Sequence, residues 1–245
     1  MTSRLLAIHG ISRPMLAYND HNAPAMRPKL IRKLKEGARL ALVSDAGTPL
    51  VSDPGHKLVK AAREAGAAVY PVPGPSAALA ALTASGLPSD RFLFVGFLPA
   101  KTGARRSELA ALKAIPATLI FFESPQRLKE SLSDMAELLG EREGAVAREL
   151  TKLHEDIRIA PLAALAEAYA GEPPKGEITI VVGPPPMGEE SADPARLDAL
   201  LKDALAFMPV SAAARLIAQA TGVARRTVYE RALALKPRSG DGPQD

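Results

Sequence analysis

Asp45 and Asp53 flank a run of small residues, Ser44-Asp45-Ala46-Gly47-Thr48-Pro49-Leu50-Val51-Ser52-Asp53-Pro54-Gly55, whose composition suits a binding loop. Two carboxylates beside glycines, which let a ligand approach the main chain closely, fit a molecule with hydroxyls, an amine or a positive charge. The run contains neither G-x-G-x-x-G nor G-K-[ST], so it carries no dinucleotide fingerprint and no triphosphate cradle. Pro73-Gly74-Pro75-Ser76-Ala77, Glu123-Ser124-Pro125 and Glu149-Leu150-Thr151 each follow an apolar segment in the same manner. Loops of this kind at one edge of a sheet line a common cleft. Taken singly, Ser76 and Ser124-Pro125 are better explained as helix starts, an N-cap serine and a proline at the first helical position, and helix N-termini can serve both purposes.

The elements that must hold these loops alternate. Apolar runs predict strands at 40–43, 68–72, 92–97, 118–122, 145–148 and 177–182, with helices around Leu58, Val59 and Ala62 and at 76–85, 125–139 and 162–169. That order is α/β. Residues 98–116 are basic, with Lys101, Arg105, Arg106 and Lys113, and are read as the segment between two domains, 1–97 and 117–186, the second closed by Gly183-Pro184-Pro185-Pro186. Residues 194–236 form a third unit. There Ala213, Ile217, Ala220, Val223 and Val228 fall at helical spacing around Gly222, which predicts a helix-turn-helix presenting Arg225, Arg226, Thr227 and Tyr229. A plain helical hairpin fits the same pattern, and Ala224 stands where a capping residue is usual. The tail 237–245, rich in Gly, Pro and Asp, is expected to be disordered.

Composition narrows the class further. A chain of 245 residues with 47% apolar residues has enough material for one large or two modest cores. No apolar run reaches the roughly 20 residues of a membrane span, and the first residues have no secretory h-region. Without cysteine there are no disulfides, no thiolate catalysis and no Cys-based zinc site, which fits a reducing cytoplasm. The four histidines, His9, His21, His56 and His154, lack metal-ligand spacing, so no metal is expected. A net charge of +4 permits a polyanionic partner without requiring one.

Six blocks occur in a fixed order: Ser44 to Gly55, Pro73-Gly74-Pro75-Ser76-Ala77, Gly96-Phe97-Leu98-Pro99, Glu123-Ser124-Pro125-Gln126-Arg127-Leu128, Arg148-Glu149-Leu150-Thr151-Lys152 and Lys175-Gly176-Glu177-Ile178-Thr179. In this the chain resembles the ribosomal RNA small-subunit methyltransferase I family of the tetrapyrrole methylase superfamily, over nearly its whole length. The Ser-Asp-Ala-Gly-Thr-Pro block separates it from the corrin methylases, which look like Gly-Asp-Pro there.

The resemblance implies a two-domain tetrapyrrole-methylase-like fold with a C-terminal helix-turn-helix. It also implies S-adenosylmethionine as cofactor and methylation of the ribose 2′-hydroxyl of a cytidine in the decoding region of 16S rRNA. By position, Asp45, Ala46, Gly47, Pro49, Ser76, Ala77, Phe122, Leu150 and Ile178 match the cofactor-contacting loops, and family members look like homodimers. A ribose hydroxyl is a poor nucleophile until it sheds its proton, so a base is useful. Lys101, Glu123, Glu149 and His154 are candidates, with Glu149 and Lys101 preferred, although ion pairing explains the two glutamates and a surface position the histidine. RNA contact is expected at Lys101, Arg105, Arg106, Arg127, Lys152, Arg225 and Arg226.

Family members open with a strand, a Pro-x-Gly-Asn-Leu loop and a helix that have no counterpart here, which leads to the expectation of a misplaced or truncated start. Two other classes remain open: a methylase acting on a tetrapyrrole, and a non-enzymatic nucleic-acid binder built around the terminal helices.

Overall fold

A computed structural model describes residues 2–186 and 194–235; the expected tail at 237–245 lies outside the described residues. The chain divides into two compact units, Met1–Pro184 and Pro185–Asp245. The first opens with helices α1 (Thr2–Ile8), α2 (Ala23–Lys35), α3 (His56–Glu64) and α4 (Ala77–Ser85). It continues through β1 (Phe92–Phe97), α5 (Thr102–Leu112), β2 (Thr118–Glu123), α6 (Leu128–Leu139), β3 (Glu143–Arg148), β4 (Asp156–Pro161), α7 (Leu162–Ala168) and β5 (Ile178–Val182).

The strands form one mixed sheet in the order β1-β2-β5-β3-β4, with β1 parallel to β2 and the remaining neighbours antiparallel. Both faces of its centre are covered, which is why β2, β3 and β5 read as nearly unbroken apolar runs rather than alternating ones. Leu119, Phe121, Val146, Ile178, Ile180 and Val182 pack with Leu109, Leu128, Leu132 and Leu165 on the face covered by α5, α6 and α7. Ile120, Ala145, Ala147 and Val181 meet Ala78, Ala81 and Leu82 of α4 on the other. Alanines on both sides of that second contact allow the helix to lie close to the sheet. The Ser76 hydroxyl accepts the Leu79 N–H at 3.5 Å and so caps α4, while Gly86 at φ 68° ends it.

Two predicted strands are absent. Residues 40–43 and 68–72 form no ladder, and Val43, Tyr70 and Val72 stand exposed. An apolar run is necessary for a buried strand but not sufficient, because a strand also needs a neighbour to bond with. The domain boundaries are corrected as well. β1, placed in the first domain by its sequence, pairs with β2 in the single sheet, and residues 98–116 are no inter-domain segment. They hold α5, the crossover between two parallel strands, which turns Arg105, Leu109 and Leu112 inward at helical spacing.

The second unit contains α8 (Pro194–Leu205), α9 (Val210–Thr221) and α10 (Arg225–Leu235). Leu197, Leu201, Ala214, Ile217, Val228 and Ala232 form its core, and Gly222, at φ 73°, makes the left-handed turn between α9 and α10. The helix-turn-helix expectation is met, with one change: Ala220, placed in the core by its spacing, is exposed.

Candidate active site

The structure joins the motif loops in two places. The Thr48 hydroxyl donates to the Pro75 carbonyl at 2.8 Å, which ties the Ser44–Gly55 loop to the entry of α4. Across the sheet face below α4, Phe122 and Leu150 pack against the same small cluster that receives Ala78 and Ala81. Thr48 thus links the loop that carries Asp45, Ala46, Gly47 and Pro49 to Pro75, beside Ser76 and Ala77, while Phe122 and Leu150 lie against the face of the sheet that α4 covers. Asp45 accepts from the Thr2 N–H and hydroxyl, and these bonds hold its carboxyl below the usual carboxylate range.

Ile178 is the exception. On β5 it pairs with Glu123, and its side chain is buried on the α6 face, whereas Thr179 pairs with Phe122. Side chains alternate along a strand, so a shift of one residue changes faces, and Ile178 offers the α4 side only its main chain.

Backbone strain marks the same loops. Among the described residues, the non-glycine positions at positive φ are Leu50 (75°), Ser52 (57°), Glu149 (51°) and Thr151 (64°), two in each of two motif loops. Such conformations cost on the order of 1–3 kcal/mol each and persist where the surroundings hold them, typically at binding sites.

Glu149 is held on several sides. Its Oε1 accepts from Lys152 Nζ at 2.8 Å and from the Glu177 N–H at 2.9 Å, and Lys152 also reaches Glu177 Oε2 at 3.1 Å. The ammonium and then the amide depress the Glu149 carboxyl pKa, while Glu149 raises that of Lys152. Glu149 is thus engaged by Lys152 and by the Glu177 N–H, and its bonds shape the loop that carries Leu150. Because the folded pKa lies below the unfolded one, this knot is complete above the ordinary carboxylate range near 4 and opens as pH falls through the folded value. The Glu177 amide resonance should titrate with a midpoint below that range and lose its titration in Glu149→Gln; a midpoint at or above it would contradict the assignment.

Most of the cations expected at RNA are committed elsewhere. Arg105 is 2% exposed, with Nε 2.6 Å from Asp134, and Arg106 pairs with Asp134 at 2.8 Å and with Glu137. They staple α5 to α6, so buried Arg105 is withdrawn as a phosphate contact and Arg106 is largely neutralised. Arg127 points inward: its guanidinium donates to the carbonyls of Leu98 (2.6 Å) and Pro99 (3.2 Å), and its Nε lies 3.4 Å from Glu123. Glu123 is buried and accepts from the Ser124 N–H and the Ser131 hydroxyl, so it anchors a clamp on the segment leading to Lys101 and is corrected as a base. Lys152 is taken by the two glutamates. Lys101, Arg225 and His154 are exposed, and Arg226 is exposed while paired with Glu230 at 3.0 Å. Asp134, Ser131 and Thr48 were missed from the sequence, where the one available signal is the acidic pair Asp134 and Glu137 one helical turn apart.

S-Adenosylmethionine, the group implied by the resemblance, suits these loops. It has a cationic sulfonium, an amine, ribose hydroxyls and a flat adenine. The site supplies a carboxylate, exposed main chain at 45–47 and 77, and half-buried Phe122 and Leu150. Among the described residues, no cluster of His, Asp and Glu could hold a metal ion.

Comparison with known proteins agrees. The Tetrapyrrole (Corrin/Porphyrin) Methylases model matches residues 14–166, and the RsmI C-terminal HTH domain model matches 191–236. The crystal structure of the methyltransferase CobJ superposes with a TM-score of 0.52 at 20% identity, covering 71% of this chain and 75% of that one, a likeness of fold. A protein of Mesorhizobium japonicum named ribosomal RNA small subunit methyltransferase I is 56% identical over 97% of this chain and 81% of its own length. One of the same name from Xylella fastidiosa is 49% identical over 93% of this chain and 84% of its own. The fold is that of a methylase. The chain belongs to the tetrapyrrole methylase family and, within it, to the ribosomal RNA small subunit methyltransferase I group.

Proposed function

We propose that the chain transfers a methyl group from S-adenosylmethionine to the 2′-hydroxyl of a cytidine ribose in the decoding region of 16S rRNA, within the small ribosomal subunit. The 56% identity over nearly the whole chain to a small-subunit rRNA methyltransferase carries this reading. When bound, the cofactor supplies an activated methyl group, so the protein's task is largely alignment. Asp45 and the exposed main chain beside it bind the cofactor's polar groups, Ser76 and Ala77 border it, and Phe122 and Leu150 provide an apolar wall. The Glu149–Lys152–Glu177 knot fixes the loop carrying Leu150, and the Arg127 clamp fixes the segment before Lys101, whose ammonium contacts the acceptor nucleotide. Mapping ribose methylation on small-subunit rRNA, with and without the protein, tests the proposal; no gain of a 2′-O-methyl group would refute it.

The second unit is proposed to add RNA affinity through the exposed first turn of α10. Reversing Arg225 and Arg226 to Glu should weaken RNA binding and flatten its salt dependence while leaving calorimetric S-adenosylmethionine affinity unchanged. An unaltered salt slope would remove these arginines from the interface. We further propose a cytoplasmic homodimer. No described helix is long and apolar enough to cross a membrane, and a second copy would cover apolar groups such as Tyr70 and Val72, 83% and 87% exposed. Sedimentation equilibrium tests the dimer.

A further inference from the structure

Three phenylalanines meet at the end of the parallel strand pair in a way a regular strand would forbid. Phe94 and Phe97 are three residues apart on β1 and should point to opposite faces of the sheet. Both instead lie edge-on to Phe122, with ring centroids at 4.9 and 5.8 Å and interplanar angles of 69° and 64°. The cause is a bulge. The register runs Phe94 to Ile120 and then Gly96 to Phe121, which leaves Val95 as the extra residue, and Gly96 takes φ +80°. The added residue turns Phe97 onto the face of Phe122, its direct partner on β2.

A single exposed aromatic ring is unremarkable on a protein surface. This one stands apart because a backbone irregularity places it, because it keeps 56% of its surface exposed, and because it adjoins the site. A Cβ on Gly96 would lie 3.4 Å from Ser52 Oγ, so the strained Ser44–Gly55 loop reaches the bulge itself. Beyond Phe97, Leu98 and Pro99 are pinned by Arg127, and exposed Lys101 follows.

We propose that Phe97 is the stacking platform for the nucleobase of the methyl-accepting nucleotide. The inference rests on the RNA-methylating reading above and goes further by assigning recognition of the acceptor base to this ring. A ribose being methylated carries its base at the neighbouring carbon, so a base platform must stand beside the cofactor wall, where Phe97 meets Phe122. β1 is an edge strand, which leaves the exposed ring of Phe97 open to a large substrate. Unpaired RNA bases are commonly gripped by aromatic faces, and a cation nearby suits the adjoining phosphate, which is the role open to Lys101.

The chain has no tryptophan, so Phe97→Trp introduces a sole indole reporter at the site. Its fluorescence should be quenched on titration with a single-stranded fragment of the small-subunit decoding region and stay nearly unchanged with S-adenosylmethionine alone. Phe97→Leu keeps apolar contact with Phe122 but offers no ring; its RNA affinity should fall about 10-fold while its calorimetric cofactor affinity matches the parent, and Phe97→Trp should retain RNA binding. Quenching by the cofactor alone would assign the ring to the cofactor and overturn the proposal. So would an unquenched indole or a fully RNA-competent Phe97→Leu in a preparation whose parent methylates small subunits. A parent that binds the cofactor yet neither binds nor methylates RNA would overturn the underlying reading, and the platform with it.

Discussion

Gly176→Ala should inactivate the protein while leaving most of its fold in place. Gly176 sits at φ +103°, a conformation that a residue with a side chain adopts at a cost on the order of 1–3 kcal/mol. Space makes the change worse. A Cβ there would fall on Glu149 Cγ, Cδ and Oε1, well inside van der Waals contact, so the carboxylate that gathers Lys152 and the Glu177 N–H would have to leave. The loop bearing Leu150 would then lose its tie, with Glu149 and Thr151 still in left-handed conformations that need support. We expect kcat/KM on small subunits to fall at least about 100-fold, as for misplacement of a positioning element by about 1 Å. Far-ultraviolet circular dichroism should change little. Adding Glu149→Ala removes the collision but not the φ penalty, so stability should recover in part and activity should not. Near-parental activity in Gly176→Ala would show that the knot has no part in the site.

Asp134→Ala should produce the largest loss of stability. Asp134 has 10% of its side chain exposed and faces Arg105, with 3%, and its other oxygen binds Arg106. Removing one partner of a buried pair leaves an uncompensated charge, which costs about 3–5 kcal/mol. Glu130, 3.5 Å from Arg105, is itself largely exposed and screened, and offsets little of this. Urea unfolding of the first unit should shift to markedly lower denaturant. Arg105→Met combined with Asp134→Leu should restore much of the loss, because neither charge then remains. A shift under about 1 kcal/mol in Asp134→Ala would show that the pair is not desolvated. Charge reversal at Arg105 and Arg106 would likewise report on folding rather than on RNA.

Both predictions concern residues whose partners are distant in sequence, and that divides what the sequence discloses from what it hides. The runs at 118–122, 145–148 and 177–182 announce strands because burial on two faces demands unbroken apolar side chains, and the run at 92–97 is equally apolar although it lies at the sheet edge. β4, Asp-Ile-Arg-Ile-Ala-Pro, went unseen because an edge strand with one wet face needs no such run. The stretches at 40–43 and 68–72 have the composition of strands without a ladder, since pairing is a property of two segments and composition of one. α5 was hidden by its charge: Arg105 and Arg106 look like a solvated basic pair until Asp134 and Glu137, on another helix, are brought against them. The motif loops were legible as runs of small residues, glycines and carboxylates after apolar segments, two of which, 40–43 and 68–72, are not strands. Their internal ties were not. Which side of the sheet Ile178 faces depends on register, which a single segment leaves open.

The strand order also has a consequence for how the molecule is made. β5, the last strand among the described residues, occupies the middle of the sheet, between β2 and β3. Until Val182 leaves the ribosome, β1 with β2 and β3 with β4 wait as two half-sheets whose inner edges are unsatisfied, and Leu119 cannot meet Val182 across 63 residues of chain. Nascent chains of this unit therefore pass through a stage with sticky, open borders, and closure is a late event that favours engagement by holding chaperones before release.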